Sequence, residues 1–245
     1  MTFISELHAA LQPAGKMVSV DVMRTNGDPN WSGSYDRYAL GKAADFVILM
    51  AYEEHWAGSG MPGSVGSLPW VNEGIRLLLQ EIPAHKVVLG VPFFTRDWVT
   101  DQVKGTVTDA DLTLTEMQNV LSSQKPEIKW DASTQQNYAE YTQESKKHQI
   151  WLEDAASMRE RKDLILKYGL AGAAGWYVGE ETKDIWPVFD GFPYGGTNQA
   201  AADFTDISGH WAKTDIAQLY RQGVIQGTSP KKLSIPNAQS PARSW

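Results

Sequence analysis

The stretch Asp45–Trp56 constrains this chain more than any other. It begins as an apolar run, Phe46-Val47-Ile48-Leu49-Met50-Ala51. The run is too short to cross a bilayer and reads as a strand buried on both faces. It then breaks into polar and aromatic groups: Tyr52, Glu53, Glu54, His55 and Trp56. A strand of an α/β barrel has this profile at its C-terminal end, where such enzymes hold their sites. A core strand that leaves the protein through a polar loop has it too, so the rest of the chain must decide.

Before that stretch, Phe3, Leu7, Ala10 and Leu11 share one helical face, closed by Pro13 and Gly15. Lys16–Val22 reads as a short strand, residues 26–34 as a loop holding Trp31, and Ser34–Ala44 as a short helix. After it, residues 57–69 form a glycine-rich loop that lacks the Gly-Lys-Ser/Thr ending of a phosphate loop. A helix follows with Val71, Ile75, Leu78, Leu79 and Ile82 on one face, stopped by Pro83. Lys86–Phe94 is the next buried strand and ends in Thr95, Arg96, Asp97 and Trp98.

Residues 99–157 break the rhythm and read as an inserted α+β lobe. It has a helical piece near Glu116–Ser123 and strands around Trp130, Tyr138–Tyr141 and Ile150–Leu152. Helix Met158–Tyr168, strand Leu170–Val178 and helix Lys183–Phe189 restore the alternation. Strands that alternate with helices predict a parallel sheet with right-handed crossovers. Trp31, Trp56, Trp98 and Trp176 each end or follow a strand. On one rim they would form an aromatic groove; packed separately under loops they would not.

Composition removes several classes. The 245 residues are 42% hydrophobic, enough for a real core. The net charge is -7 and the Lys and Arg residues are unclustered, which argues against nucleic acid. There is no Cys, so disulfides and thiolate metal sites are excluded. The five His are scattered, with no His-Glu-x-x-His pair. Met1 is followed by an amphipathic segment, not a signal peptide.

Four motifs in order now carry a resemblance: Asp45–Tyr52, Gly90–Arg96 (GVPFFTR), Ile150–Asp154 (IWLED) and Leu170–Trp176 (LAGAAGW). Together they resemble family 18 glycoside hydrolases, in particular the spore-cortex and cell-wall branch of Bacillus-like bacteria. The resemblance covers about residues 1–190. It implies an α/β fold, the C-terminal half of a (β/α)8 TIM barrel (strands five to eight) with the inserted α+β lobe. In that family an Asp-x-x-Asp-x-Asp-x-Glu signature at the end of the fourth strand supplies the general acid. This sequence does not contain it, and Asp109-Ala110-Asp111 has the wrong spacing. The expectation is therefore the C-terminal part of a longer protein, inactive as an isolated chain. Four strands cannot close a barrel, and the first would keep an unpaired edge.

The resemblance also implies roles. The substrate's own 2-acetamido oxygen attacks the anomeric carbon, a departure from the two-carboxylate scheme. Tyr52 hydrogen-bonds that group. Glu53 stands beside it, where many relatives have Asp; a structural ion pair is its alternative. Met50 lines the floor and Trp176 is the platform under the reacting sugar. Arg96 and Trp98 contact neighbouring sugars or peptide carboxylates, and Glu153 and Glu180 are further substrate-binding candidates. Asp21 is a weaker interior candidate, and Glu54 and His55 read as loop residues. The substrate class is an N-acetylglucosamine-containing polymer, chitin or peptidoglycan. No metal or organic cofactor is implied. The family's habit places such proteins outside the cell, in the envelope or on the spore. A non-catalytic carbohydrate-binding or envelope structural protein is the alternative.

The tail changes character. Residues 191–203 read as a linker. Phe204–Ala212, with Ile216, Leu219, Tyr220 and Gly223–Gly227, resembles the first half of an S-layer homology repeat, which implies a short helical tail and a cell-wall polymer as partner. Residues 228–245 follow no period and predict disorder.

Overall fold

Short apolar runs form the central strands, and these strands build the frame. The computed structural model describes residues 2–25, 27–28, 30, 32–190, 227–229 and 232–233. Strands β1 (Ser19–Met23), β2 (Phe46–Met50), β3 (Val87–Pro92) and β9 (Gly172–Trp176) form one four-stranded sheet in the order β1-β2-β3-β9. All its pairs are parallel. Their C-terminal ends therefore lie along one edge. There Met50 is level with Met23 and Gly90, and Trp176 is level with Pro92.

Helices α1 (Thr2–Leu11), α2 (Arg37–Ala43), α3 (Leu68–Leu78) and α5 (Ala155–Tyr168) accompany this sheet. Leu40, Val71, Ile75 and Ile165 from them share one core with Val22, Val47, Leu49, Val87 and Leu89. The helices start where the sequence places caps. Asp36 accepts the Ala39 N–H ahead of α2, and Asp154 with Ser157 makes a capping box for α5. Gly169 ends α5 with a left-handed φ of 64°. The expectation that β2 is buried on both faces is corrected. Val47 and Leu49 are buried, while Phe46, Ile48 and Met50 are only half-buried. Among the described residues, helices cover one face of the strand. The last helix, α6, is also shorter than expected, only Trp186–Phe189.

The inserted lobe is a second sheet, antiparallel, of strands β4 (Phe94–Asp101), β5 (Val107–Thr113), β6 (Ile128–Asp131), β7 (Gln136–Gln143) and β8 (Lys146–Trp151). Their order is β5-β4-β8-β7-β6. Helix α4 (Leu114–Gln124) packs on it, opened by a Thr113–Glu116 capping box. The lobe begins five residues earlier than the sequence suggested, at Phe94 and not at 99. The chain leaves the parallel sheet at Phe93, whose N–H still bonds the Trp176 carbonyl at 2.7 Å.

Two expected substrate contacts become structural as a result. Trp98 lies inside the lobe at 0% exposure, its indole N–H donating to the Gly63 carbonyl at 2.8 Å. Glu153 is also at 0% exposure. It accepts from Arg161 Nη2 at 2.7 Å, Gln136 Nε2 at 2.8 Å and Ser157 Oγ at 2.9 Å. Burial pushes its carboxyl up to about 7 against the pull of Arg161, Ser157 and Gln136. Arg161 Nη2 also donates to the Gly66 carbonyl at 2.7 Å, so this pair joins α5, the lobe and the loop before α3. Neither side chain reaches solvent where a glycan could touch it.

Gly227–Ser229 and Lys232–Leu233 pair antiparallel as β10 and β11, which apart from Gly227 fall in the stretch for which the sequence predicted disorder. Trp31, the linker and the helical tail lie outside the described residues.

Glu153→Ala leaves Arg161 buried without its counter-charge. It is expected to cost about 3–5 kcal/mol of stability in urea unfolding. A loss below about 1 kcal/mol would mean that the pair does not hold the seam together.

Candidate functional site

The shared strand edge gathers the remaining candidates. Trp176 closes β9 and stays 53% exposed, unusual for so large an apolar side chain at a strand end. Its ring lies nearly parallel to that of Tyr52, with centroids 6.5 Å apart and planes 21° apart. Tyr52 also meets the Phe94 ring edge-on at 6.2 Å. Small residues make room for this stack. A Cβ on Gly90 would stand 2.7 Å from the Leu49 carbonyl oxygen and 3.2 Å from the Tyr52 ring. Burial raises the Tyr52 hydroxyl to about 12, with the charges of Asp21 and Glu53 adding to it. The hydroxyl therefore remains a donor throughout the neutral range.

Beside the stack opens a cleft of about 300 Å³. Glu53, Phe94, Asp111, Glu116, Trp176 and Glu180 are among its lining residues. Glu53 is fixed by Arg96, whose Nη2 reaches both carboxylate oxygens at 2.8 and 2.9 Å. The other terminal nitrogen, Nη1, bonds Asp109 Oδ2 at 3.1 Å and also Asp111 Oδ1. Asp109 and Asp111 are two apart on β5 and so share a face, and Asp111 pairs directly across from Arg96. Asp109 Oδ1 also takes the Gly58 N–H at 3.0 Å and so holds the glycine-rich loop. Burial raises the Glu53 carboxyl; Arg96 opposes that, and Asp111 and Asp109 add to the rise.

The structure thus brings Tyr52, Glu53, Arg96, Trp176 and Glu180 together and leaves Trp98 and Glu153 out. Arg96 is 3% exposed and already paired with three carboxylates. It is placed to hold Glu53, not to meet a sugar, which corrects its expected role as a direct contact. Met50 ends β2 two residues before Tyr52 and is outside the cleft lining. Of the four tryptophans expected on one rim, Trp176 lines the cleft, Trp56 is exposed on its loop and Trp98 is buried. Sequence reasoning missed Asp109 and Asp111 as partners of Arg96. Their signal was the two-residue spacing on a strand facing another strand. Among the described residues, no group of three or more His, Cys, Asp or Glu is arranged to hold a metal ion. None of their helices is long and apolar enough to cross a membrane.

Residues 1–181 match the family model of Glycosyl hydrolases family 18. Residues 203–234 match that of the S-layer homology domain, past the Gly227 limit read from the sequence. The uncharacterized glycosylase YvbX of Bacillus subtilis (strain 168) is 30% identical over 190 residues, which are 75% of this chain and 54% of that protein. The spore cortex-lytic enzyme SleL of Bacillus megaterium QM B1551 has a TM-score of 0.68 at 25% identity, covering 76% of this chain and 43% of that one. A chitinase from Chromobacterium violaceum ATCC 12472 has a TM-score of 0.66 at 27% identity, covering 76% and 58%. The chain spans about half the length of these relatives.

Arg96→Ala removes the one group that pulls the Glu53 carboxyl down while both aspartates that push it up remain. The Glu53 titration, followed by carbon-13 NMR of labelled side chains, is expected to move further upward. An unchanged titration would show that the guanidinium is not what governs this carboxylate.

Proposed function

Because the chain belongs to family 18 of the glycosyl hydrolases, we propose that it forms the sugar-binding side of a glycosidase acting on N-acetylglucosamine-containing polymers, chitin or peptidoglycan. The observation that carries this reading is Trp176, half-exposed at the mouth of the cleft and held flat against Tyr52. An exposed aromatic face backed by a fixed hydrogen-bond donor suits a pyranose ring bearing an acetamido group.

The reaction is hydrolysis with retention. The pyranose lies on Trp176. The Tyr52 O–H, kept protonated, donates to the acetamido group and holds its carbonyl oxygen under the anomeric carbon. That oxygen attacks, the C–O bond to the leaving sugar breaks, and a general acid delivers a proton to the departing oxygen. Water then enters from the face that the leaving sugar vacated, gives its proton to the deprotonated acid and breaks the bond to the acetamido oxygen, which restores the configuration. Glu53, held by Arg96, stands beside Tyr52. The acid step is assigned to no residue here, because the Asp-x-x-Asp-x-Asp-x-Glu signature is not in this sequence. The isolated chain is therefore proposed to bind glycan without turning it over.

In this reading β1, β2, β3 and β9 are strands five to eight of an eight-stranded barrel. The parallel order and the match to about half of each relative support it. In the same reading residues 203–234 bind a cell-wall polymer and hold the protein in the cell envelope or at the spore, which the match to the S-layer homology domain supports. The likeness to a spore cortex-lytic enzyme supports that location.

Binding of an N-acetylglucosamine oligomer to the purified chain, read by tryptophan fluorescence, is expected to weaken roughly tenfold or more in Trp176→Ala, as loss of one stacking platform implies. No saturable binding by the unaltered chain would sink the reading. A fluorogenic chitooligosaccharide is expected to give no turnover. Turnover that Tyr52→Phe abolishes would place an acid within these residues, with Glu53 the first to replace.

A further inference from the structure

We propose that the cleft selects its glycan by charge, favouring chains that carry free amino groups beside acetylated units and rejecting chains that carry free carboxylates. The inference rests on the glycan-binding reading above and narrows the substrate class. Four carboxylates line the cleft: Glu53, Asp111, Glu116 and Glu180. No Lys or Arg is among the lining residues. The nearby cation, Arg96, is buried and satisfies Glu53, Asp109 and Asp111 together. Three negative charges on one positive leave that cluster with an excess of two, before Glu116 and Glu180 are added.

The carboxylates are also fixed in place. Glu116 accepts from the N–H and hydroxyl of Thr113, both at 2.9 Å, which hold its carboxyl below the usual range and keep it ionised. Glu180 accepts from the Tyr177 hydroxyl, and its backbone carbonyl takes the Leu114 N–H at 2.9 Å. Asp111, Glu116 and Glu180 thus come from the lobe and from the turn after β9, two walls that face the same volume. A concave site with one sign of charge and low-dielectric walls concentrates its field in the cleft. An ammonium group entering it meets acceptors that need no rearrangement. A lactyl or peptide carboxylate meets repulsion, which serves as specificity against that class.

The reacting sugar keeps its acetamido group, because the chemistry needs that oxygen. The free amines therefore belong to neighbouring units. The selection adds no covalent step and depends on ionic strength, since exposed charges are screened by salt.

The test uses the full chain and three oligosaccharides of equal length, titrated calorimetrically at low and high salt. They are a fully N-acetylated chitooligosaccharide, a partially de-N-acetylated one, and an alternating N-acetylglucosamine–N-acetylmuramic acid oligomer with free lactyl carboxylates. The expected order of affinity is de-N-acetylated, acetylated, muramic, with at least roughly tenfold between the extremes at low salt. The spread is expected to collapse at high salt. In the double variant Glu116→Gln, Glu180→Gln the ratio between the cationic and neutral oligomers is expected to narrow, because the amides keep the shape and remove the charge. Equal affinities for all three, or a ratio unchanged in the double variant, would overturn the charge selection while leaving glycan binding intact. Failure of all three to bind would overturn the glycan reading itself, and this inference with it.

Discussion

One guanidinium stands between three carboxylates almost out of reach of water. Arg96 rises from β4, Asp109 and Asp111 come from the neighbouring β5, and Glu53 comes from the end of β2 in the other sheet. The cation offsets the mutual repulsion of acids held this close together: at Glu53 its pull opposes the upward push of burial, Asp111 and Asp109. With it, the lobe and the parallel sheet are tied at the point where the cleft opens. A lysine could supply the charge but not the fork that reaches two sites at once. Asp109 extends the tie to the loop at Gly58, so one cluster sets both the floor and the rim.

The lobe stands where the chain has spare length. Neighbouring parallel strands must be joined by a long crossover, and the crossover from β3 to β9 carries the whole antiparallel sheet as well as α5. The exit at Phe93 and the return through α5 are both pinned. Phe93 stays bonded to the Trp176 carbonyl, and Glu153 with Arg161 fastens α5 to the loop at Gly66. A Cβ on Gly66 would stand 2.9 Å from the Ala51 carbonyl oxygen, so this seam presses directly on the segment that presents Tyr52. The buried pair therefore acts on the site from behind, although it never meets the cleft.

The order of elements was legible because it follows from periodicity and from breakers. Gly169 ends α5 where the pattern says it should, while α3 ends at Leu78, ahead of the Pro83 stop, and the apolar runs mark the four parallel strands. Tyr52 and Trp176 were singled out by the family resemblance, each at or near the end of a strand expected from an apolar run. What periodicity does not carry is the partner of each strand. Thr95–Trp98 reads as the polar end of a parallel strand, yet it is the start of β4, and its new neighbours bury Trp98. Glu153 follows an apolar strand just as Glu53 does. Only tertiary contact with Arg161 distinguishes a buried acid from one that lines a cleft. Asp109 and Asp111 were set aside on their spacing and their place in the insertion, because the strand that faces them cannot be seen in a linear reading.

The backbone at Glu53 explains how two adjacent side chains serve one cleft. Successive residues of a regular strand point to opposite faces. Tyr52 and Glu53 nevertheless both turn to the same region, one against Trp176 and the other into the cleft lining. The alternation is broken by Glu53 itself, which holds a left-handed φ of 67°. For a residue with a side chain that conformation costs about 1–2 kcal/mol. The cost is offset locally. Arg96 grips both carboxylate oxygens, the Glu54 N–H bonds the Val65 carbonyl at 2.9 Å, and the Glu54 carboxylate accepts the Ser67 N–H at 2.7 Å. Glycine would relieve the strain but would remove the carboxylate that Arg96 holds. Aspartate would shorten the reach to that guanidinium by one methylene. Glutamate at this position thus keeps a strained turn and an ion pair that each make the other tenable.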